Sequence, residues 1–187
     1  KTGMPTSGVM ILVGQPKSGK TTLAASFPES YVLELEPGGA DRTEGRIHDI
    51  PDVHEFRRVM PVVMEDPKIK TVVIDSLDAL SDWLEDEIAK SRGLETITER
   101  KTGVDGFELW GEYRRRIEGL MGYFKSSGKL AILIAHCREP KVDGNGNTVT
   151  PAGINLPGKA GAFMAAQAAI IGYAFKKPLG QGTASYV

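Results

Sequence analysis

The densest chemistry in the chain lies in nine consecutive residues: Gly14, Gln15, Pro16, Lys17, Ser18, Gly19, Lys20, Thr21 and Thr22. Within them the spacing Gly-x-x-x-x-Gly-Lys-Thr sets glycines where backbone N–H groups must turn inward around an anion. It adds a lysine that reaches the β and γ phosphates of a nucleotide, and a hydroxyl suited to Mg²⁺. All nine are candidate nucleotide contacts, Lys20 is also a catalytic candidate, and Thr21 is a candidate metal ligand.

Three acidic or basic residues follow apolar runs further along. Asp75 ends Thr71-Val72-Val73-Ile74, where a buried strand would deliver a carboxylate rigidly beside phosphates, so it joins Thr21 as a candidate Mg²⁺ ligand. Glu36 leaves the strand Tyr31–Leu35 at the end where parallel sheets bind ligands, and is the candidate for orienting or deprotonating an attacking water. Glu34, which strand alternation places on the same face, is the alternative. His136 closes the run Leu130–Ala135 and is a catalytic candidate as a sensor of the γ-phosphate.

These residues need a scaffold of strands ending at one edge. Val9–Val13, Tyr31–Leu35, Thr71–Ile74, Leu130–Ala135 and Ala168–Ala174 read as strands, most of them short apolar runs bounded by turn residues. Between them, Thr21–Phe27, Asp52–Glu65, the stretch from Leu77 to Ile88, the stretch from Phe107 to Phe124, and Lys159–Ala166 have helical character. Pro61 is expected to kink or split the second helix. Asp82, Glu85, Asp86 and Glu87 read as the solvated face of the third. Residues 91–106 lack periodicity and read as a mobile loop, and Asp143-Gly144-Asn145-Gly146-Asn147 as the tip of a hairpin-like excursion. Alternating strands and helices imply an α/β fold with a mostly parallel central sheet flanked by helices.

The chain has 187 residues, 41% of them hydrophobic, enough for one sizeable core. With 23 Lys+Arg against 24 Asp+Glu the formal net charge is -1, so any nucleic-acid site must be a local patch. Cys137 alone excludes an internal disulfide framework and fits a reducing cytoplasm. No run is long and apolar enough for a membrane span. One domain over residues 1–187 is expected, with termini trimmed or disordered.

Taken in order, GQPKSGKTT, YVLELEPGGAD, TVVIDSLDAL and LAILIAHCREP resemble the motifs of a RecA-like P-loop ATPase core, and more closely those of phage-encoded RecA-like ATPases related to single-strand annealing recombination proteins. The resemblance spans roughly Val9 to Ala174. It implies ATP and Mg²⁺ as cofactors, with Lys20 and Thr21 as the P-loop lysine and metal-binding hydroxyl, Asp75 as the Walker B aspartate and Glu36 as the catalytic glutamate. His136 falls at the position of the polar γ-phosphate sensor, which is glutamine in RecA itself. The resemblance further implies a single-stranded DNA partner held by loops at 91–106 and 138–158, where Arg92, Arg100, Lys101, Arg138 and Lys141, with Lys159 just beyond, are candidate phosphate contacts. Neither loop has an aromatic residue for base stacking. Also implied are side-by-side homo-oligomers, for which Arg42 is a candidate trans-acting arginine, a single-strand-binding protein partner, and a host-cell cytoplasm as the place of action. Two alternatives stand beside this reading: a P-loop phosphotransferase acting on a small molecule, and a nucleotide-gated loader of a replication protein.

Overall fold

A computed structural model describes residues 5–38, 43–139, 141–145, 148–150, 153–179 and 182–186. In chain order the elements are β1 (Gly8–Gly14), α1 (Lys20–Ala25), β2 (Ser30–Glu34), β3 (Arg46–Asp49), α2 (Val53–Glu65), β4 (Thr71–Asp75), α3 (Leu77–Ser91), α4 (Gly106–Ser126), β5 (Leu130–Arg138), β6 (Lys141–Val142), β7 (Thr148–Thr150), β8 (Gly153–Ile154), α5 (Ala160–Gln167), β9 (Ile170–Leu179) and β10 (Gly182–Tyr186).

The strands order as β10-β9-β1-β5-β4-β2-β3. Every pairing from β9 to β3 is parallel, β10 runs antiparallel to β9, and β8 pairs antiparallel with the far end of β5. Parallel strands covered on both sides are apolar throughout, which is why β1 and β4 read as unbroken apolar runs. Val9, Ile11 and Val13 enter one core cluster with Phe56, Leu80, Ile117 and Met164 from α2 to α5. Met10 and Leu12 enter a second, with Ala24 and Phe27 from α1 and the turn after it.

The helices begin where a side chain satisfies their first free N–H groups. Asp52 accepts from His54 and Glu55, Ser76 from Ala79, and Asp105 from Phe107. At the amino-terminal rim of the sheet, side-chain donors close onto main-chain carbonyls. Ser30 Oγ donates to Ala25 at 2.6 Å, Thr71 Oγ1 to Pro28 at 3.0 Å, and Lys129 Nζ to Asp66 at 2.7 Å and Ile69 at 2.6 Å. The opposite rim, where the strands end, is left for chemistry. There Gly14 sits between His136 and Ala174. A Cβ on it would stand 2.3 Å from the Ala174 carbonyl oxygen, so only glycine fits.

Several expectations need correction. Pro61 neither splits nor ends α2, which is continuous from Val53 to Glu65; Pro61 lies on its exposed side, where water can reach the Arg57 carbonyl left without its helical donor. Ser91 ends α3 and Gly106 begins α4; residues 92–105 between them are irregular, yet Leu94 and Ile97 are each 4% exposed and pin the segment to the core. Glu34 and Glu36 part company: β2 ends at Glu34, which is buried against a recess with Asp49 and Ile50, while Glu36 lines a different cleft. The acidic face of α3 is not simply solvated, since Glu87 binds Arg57 from α2 and Arg116 from α4. The excursion after β5 is, as expected, an antiparallel pair of β6 and β7; Gly146 and Asn147 of its expected tip lie outside the described residues. No helix among the described residues is long and apolar enough to cross a membrane.

Candidate nucleotide-binding site

A cleft of about 650 Å³ opens at the carboxyl ends of the strands, lined among others by Lys17, Lys20, Thr21, Thr22, Glu36, Asp75, His136 and Lys176. The turn from β1 into α1 shapes it. Lys17 and Gly19 both adopt positive φ, 62° and 93°, which winds the backbone around the hollow. Ser18 Oγ is buried there with no protein partner, a donor that a phosphate oxygen would satisfy.

Lys20 is 6% exposed and folds back, donating to the carbonyls of Gly14 at 3.0 Å and Gln15 at 2.9 Å. Burial holds its pKa below the usual lysine range, against the opposing pull of the Asp75, Asp78 and Glu36 carboxylates. An anion in the cleft would offer Lys20 a better acceptor than carbonyls. The Gln15 side chain points elsewhere, toward Glu139 at 3.5 Å.

Thr21 Oγ1 donates to Asp75 Oδ2 at 2.6 Å, bringing together the two candidate metal ligands from α1 and β4. Burial raises the Asp75 pKa; the Thr21 hydrogen bond opposes this and the Glu36 charge adds to it. Among the described residues no cluster of three or more His, Cys, Asp or Glu could cage a metal by itself. One carboxylate plus one hydroxyl is nevertheless the sparse, hard-oxygen set that suits Mg²⁺ when phosphates complete its shell. The residues therefore fit the ion.

Glu36 is held on its backbone and on its side chain. Leu35 N and Glu36 N both donate to the Asp75 carbonyl, at 2.5 and 3.3 Å. Its carboxylate accepts a close hydrogen bond from the Ser76 hydroxyl, next to the cis Asp75–Ser76 peptide. Ser76, which also caps α3, thus joins the site without having been singled out from the sequence.

His136 is held by a residue that sequence reasoning missed. Asp78, in the first turn of α3, accepts from the His136 backbone N–H at 2.8 Å and lies 3.3 Å from its ring Nδ1. Its other oxygen accepts from Asn155 at 3.1 Å, and Asn155 N donates to the His136 carbonyl at 3.0 Å. The only hint was a second aspartate three residues after Asp75 at the start of a helix.

The candidate DNA-contacting cations are scattered. Arg92 pairs with Glu108 and Glu112, each at 3.7 Å, and Lys101 donates to the Gly93 carbonyl. Arg138 Nε is buried without a partner, Lys159 sits at the start of α5, and the Lys141 backbone lies in β6. Arg42 lies outside the described residues. An aromatic residue does occur beside the first loop: Phe107 is 90% exposed, in a hollow shared with Arg92 and Arg115.

A phosphate-shaped turn after β1, an aspartate ending β4 and this strand order define a RecA-like P-loop ATPase fold. The AAA domain family (AAA_24) matches residues 7–183, and the chain belongs to that family. Its relatives include the SPbeta prophage-derived uncharacterized protein YorG of Bacillus subtilis (strain 168), 24% identical over 138 residues. That match covers 71% of this chain and 42% of YorG, so the chain spans less than half the length of that relative. Similar solved structures include the KaiC-like protein PH0186 from Pyrococcus horikoshii OT3, with a TM-score of 0.54 and 16% identity over 98% of this chain and 78% of that one. The RadB recombinase has a TM-score of 0.52 and 18% identity, covering 93% and 77%.

Proposed function

We infer that the chain binds ATP with Mg²⁺, hydrolyses it, and uses the nucleotide state to govern its grip on single-stranded DNA in phage recombination or annealing. The observation that carries the nucleotide reading is the 2.6 Å bond between Thr21 and Asp75 in one cleft with Lys20, Glu36 and His136. Thr21 and Asp75 are the residues that would hold Mg²⁺, which would supply charge neutralisation for the transferred group. Lys20 exchanges its two carbonyl acceptors for phosphate oxygens, Ser18 Oγ gains a partner, and Glu36, held by Ser76, orients the attacking water and takes its proton. The DNA reading is supported by the fold shared with a recombinase, by a prophage-derived relative, and by exposed Phe107 beside Arg92 and Arg115. Side-by-side assembly and a single-strand-binding protein partner belong to the same reading.

The test is fluorescence anisotropy of labelled single-stranded DNA, titrated with wild type and Lys20→Ala, each with ADP and with a non-hydrolysable ATP analogue. Binding by wild type with the analogue alone is expected. Equal DNA binding by both proteins in both nucleotides overturns the coupling, and no binding in any state overturns the DNA reading.

A further inference from the structure

We propose that Lys176 is a nucleotide-binding residue, whose ammonium group joins the phosphates from β9, beside the P-loop and outside it. The inference rests on the nucleotide reading above and adds to it a phosphate ligand from a separate strand.

The strand that carries Lys176 outlasts its neighbour. β9 pairs with β1 in register from Ile170 beside Met10 to Ala174 beside Gly14, where β1 turns into the P-loop. Beyond that point its partner among the described residues is β10, which sets Lys176 opposite Ser185 and Lys177 opposite Ala184. Lys176 therefore stands past the glycine on which the phosphate turn begins. Strand alternation puts it on the face of Ala174, which is fully buried with Met10, Leu12 and Ala24 of α1. That is the side of the sheet on which α1 and its P-loop lie, and Lys176 lines the cleft there. Lys177 falls on the other face with Tyr173 and Phe175, whose rings stack with centroids 6.3 Å apart, and it is not part of the cleft lining.

The other groups of the cleft are committed or offset. Lys20 donates to the carbonyls of Gly14 and Gln15, and Thr21 to Asp75. In formal charge Lys17 and Lys20 offset Glu36 and Asp75, with His136 counted neutral, so Lys176 is the charge that makes the lining net positive. Lys176 is exposed, and among the described residues it forms no ion pair. An exposed ammonium without an acceptor on the protein is free to turn its three donors toward another anion. A phosphate chain supplies such acceptors, and ammonium-to-phosphate bonds are among the stronger hydrogen bonds. Because a magnesium triphosphate carries more negative charge than a magnesium diphosphate, the gain is larger for ATP than for ADP.

Isothermal titration calorimetry of the full chain with Mg²⁺ measures binding of the non-hydrolysable ATP analogue and of ADP to wild type, Lys176→Met, Lys176→Arg and Lys177→Met. Methionine removes the charge and keeps an apolar stem, while arginine keeps both charge and donors. Lys176→Met is expected to weaken the analogue by about tenfold and ADP by about threefold, with its melting temperature without nucleotide unchanged. Lys176→Arg is expected to recover most of that affinity. Lys177→Met, altered at the next residue but on the opposite face, is expected to bind both nucleotides as wild type does. In wild type, modification of lysine amines by an N-hydroxysuccinimide ester, read by mass spectrometry, is expected to slow at Lys176 with the analogue bound and not at Lys177.

An analogue affinity of Lys176→Met equal to that of wild type, an equal loss in Lys177→Met, or no protection of Lys176 overturns this inference and leaves the nucleotide reading standing. No binding of either nucleotide by wild type overturns both.

Discussion

Thr21 and Asp75 touch across 54 residues of sequence: the hydroxyl that opens α1 and the carboxylate that ends β4 form a 2.6 Å hydrogen bond. The fold itself thus brings the pair together. The carboxylate is kept out of water by the same packing that makes it rigid.

That burial sets a pH dependence. Burial is the largest cause of the raised Asp75 pKa, so the folded state holds this proton more tightly than the unfolded state. The associated stability is present below the ordinary carboxylate value and is lost as pH rises through the raised one. Asp75→Asn is therefore expected to melt higher than wild type at neutral pH without ligand, while losing at least about 100-fold in ATP turnover. Thermal melts from acid to neutral pH, with and without Mg-ATP, check this. A wild type that melts higher than the variant at neutral pH in the absence of ligand would refute the account.

Ser76 acts on Glu36 from outside the lining of the cleft. Ser76→Ala is expected to lower kcat by about 10–100-fold with KM little changed, because Glu36 loses the donor that orients it. Loss of the helix cap should also cost about 1 kcal/mol of stability. Steady-state kinetics beside urea denaturation separate the two effects, and a wild-type kcat in the variant would remove Ser76 from the mechanism.

Tyr113 offers a test of the core under α3. Burial pushes its phenol up to about 12, against the opposing hydrogen bond with Ser81 at 2.7 Å. A raised phenol pKa means stability that is present below the ordinary value near 10 and lost as pH rises through about 12. Across that window wild type is expected to lose roughly 2–3 kcal/mol more than Tyr113→Phe. Urea denaturation of both proteins on the alkaline side should show the curves converging; parallel curves would contradict the assignment.

Phe107→Ala probes the proposed DNA surface. Removing one stacking ring is expected to weaken single-stranded DNA binding by about tenfold, in line with roughly 1–3 kcal/mol per stacked base. ATP hydrolysis without DNA should be unchanged, since Phe107 lies outside the cleft. Unaltered anisotropy titrations would exclude this ring from the DNA path.

The parts read most directly from sequence were those with a local signature. β1, β4 and β5 are buried on both faces and so appear as apolar runs, and the P-loop spacing is set by the turn it makes. The convergence of Lys20, Thr21, Glu36, Asp75 and His136 followed from the strands ending at one rim. What escaped was non-local or polar. β3 is an edge strand written Arg-Ile-His-Asp, with no apolar alternation to mark it. Asp78 acquires its role only by meeting His136 and Asn155, 58 and 77 residues away. Leu94 and Ile97 pin an aperiodic loop by two contacts that no period could reveal. The split expected at Pro61 did not occur because helix propensity says nothing about which side of a helix faces water.

The ties along the amino-terminal rim bear on how such a chain can change over generations. Ser30, Thr71 and Lys129 all bond to main-chain oxygens, those of Ala25, Pro28, Asp66 and Ile69. Each of the twenty amino acids supplies that oxygen, so the accepting positions can drift in identity while the bonds persist. For these four bonds, among the described residues, just the three donor side chains must be inherited. Mutational tolerance is thereby built into the end of the sheet opposite the candidate nucleotide cleft.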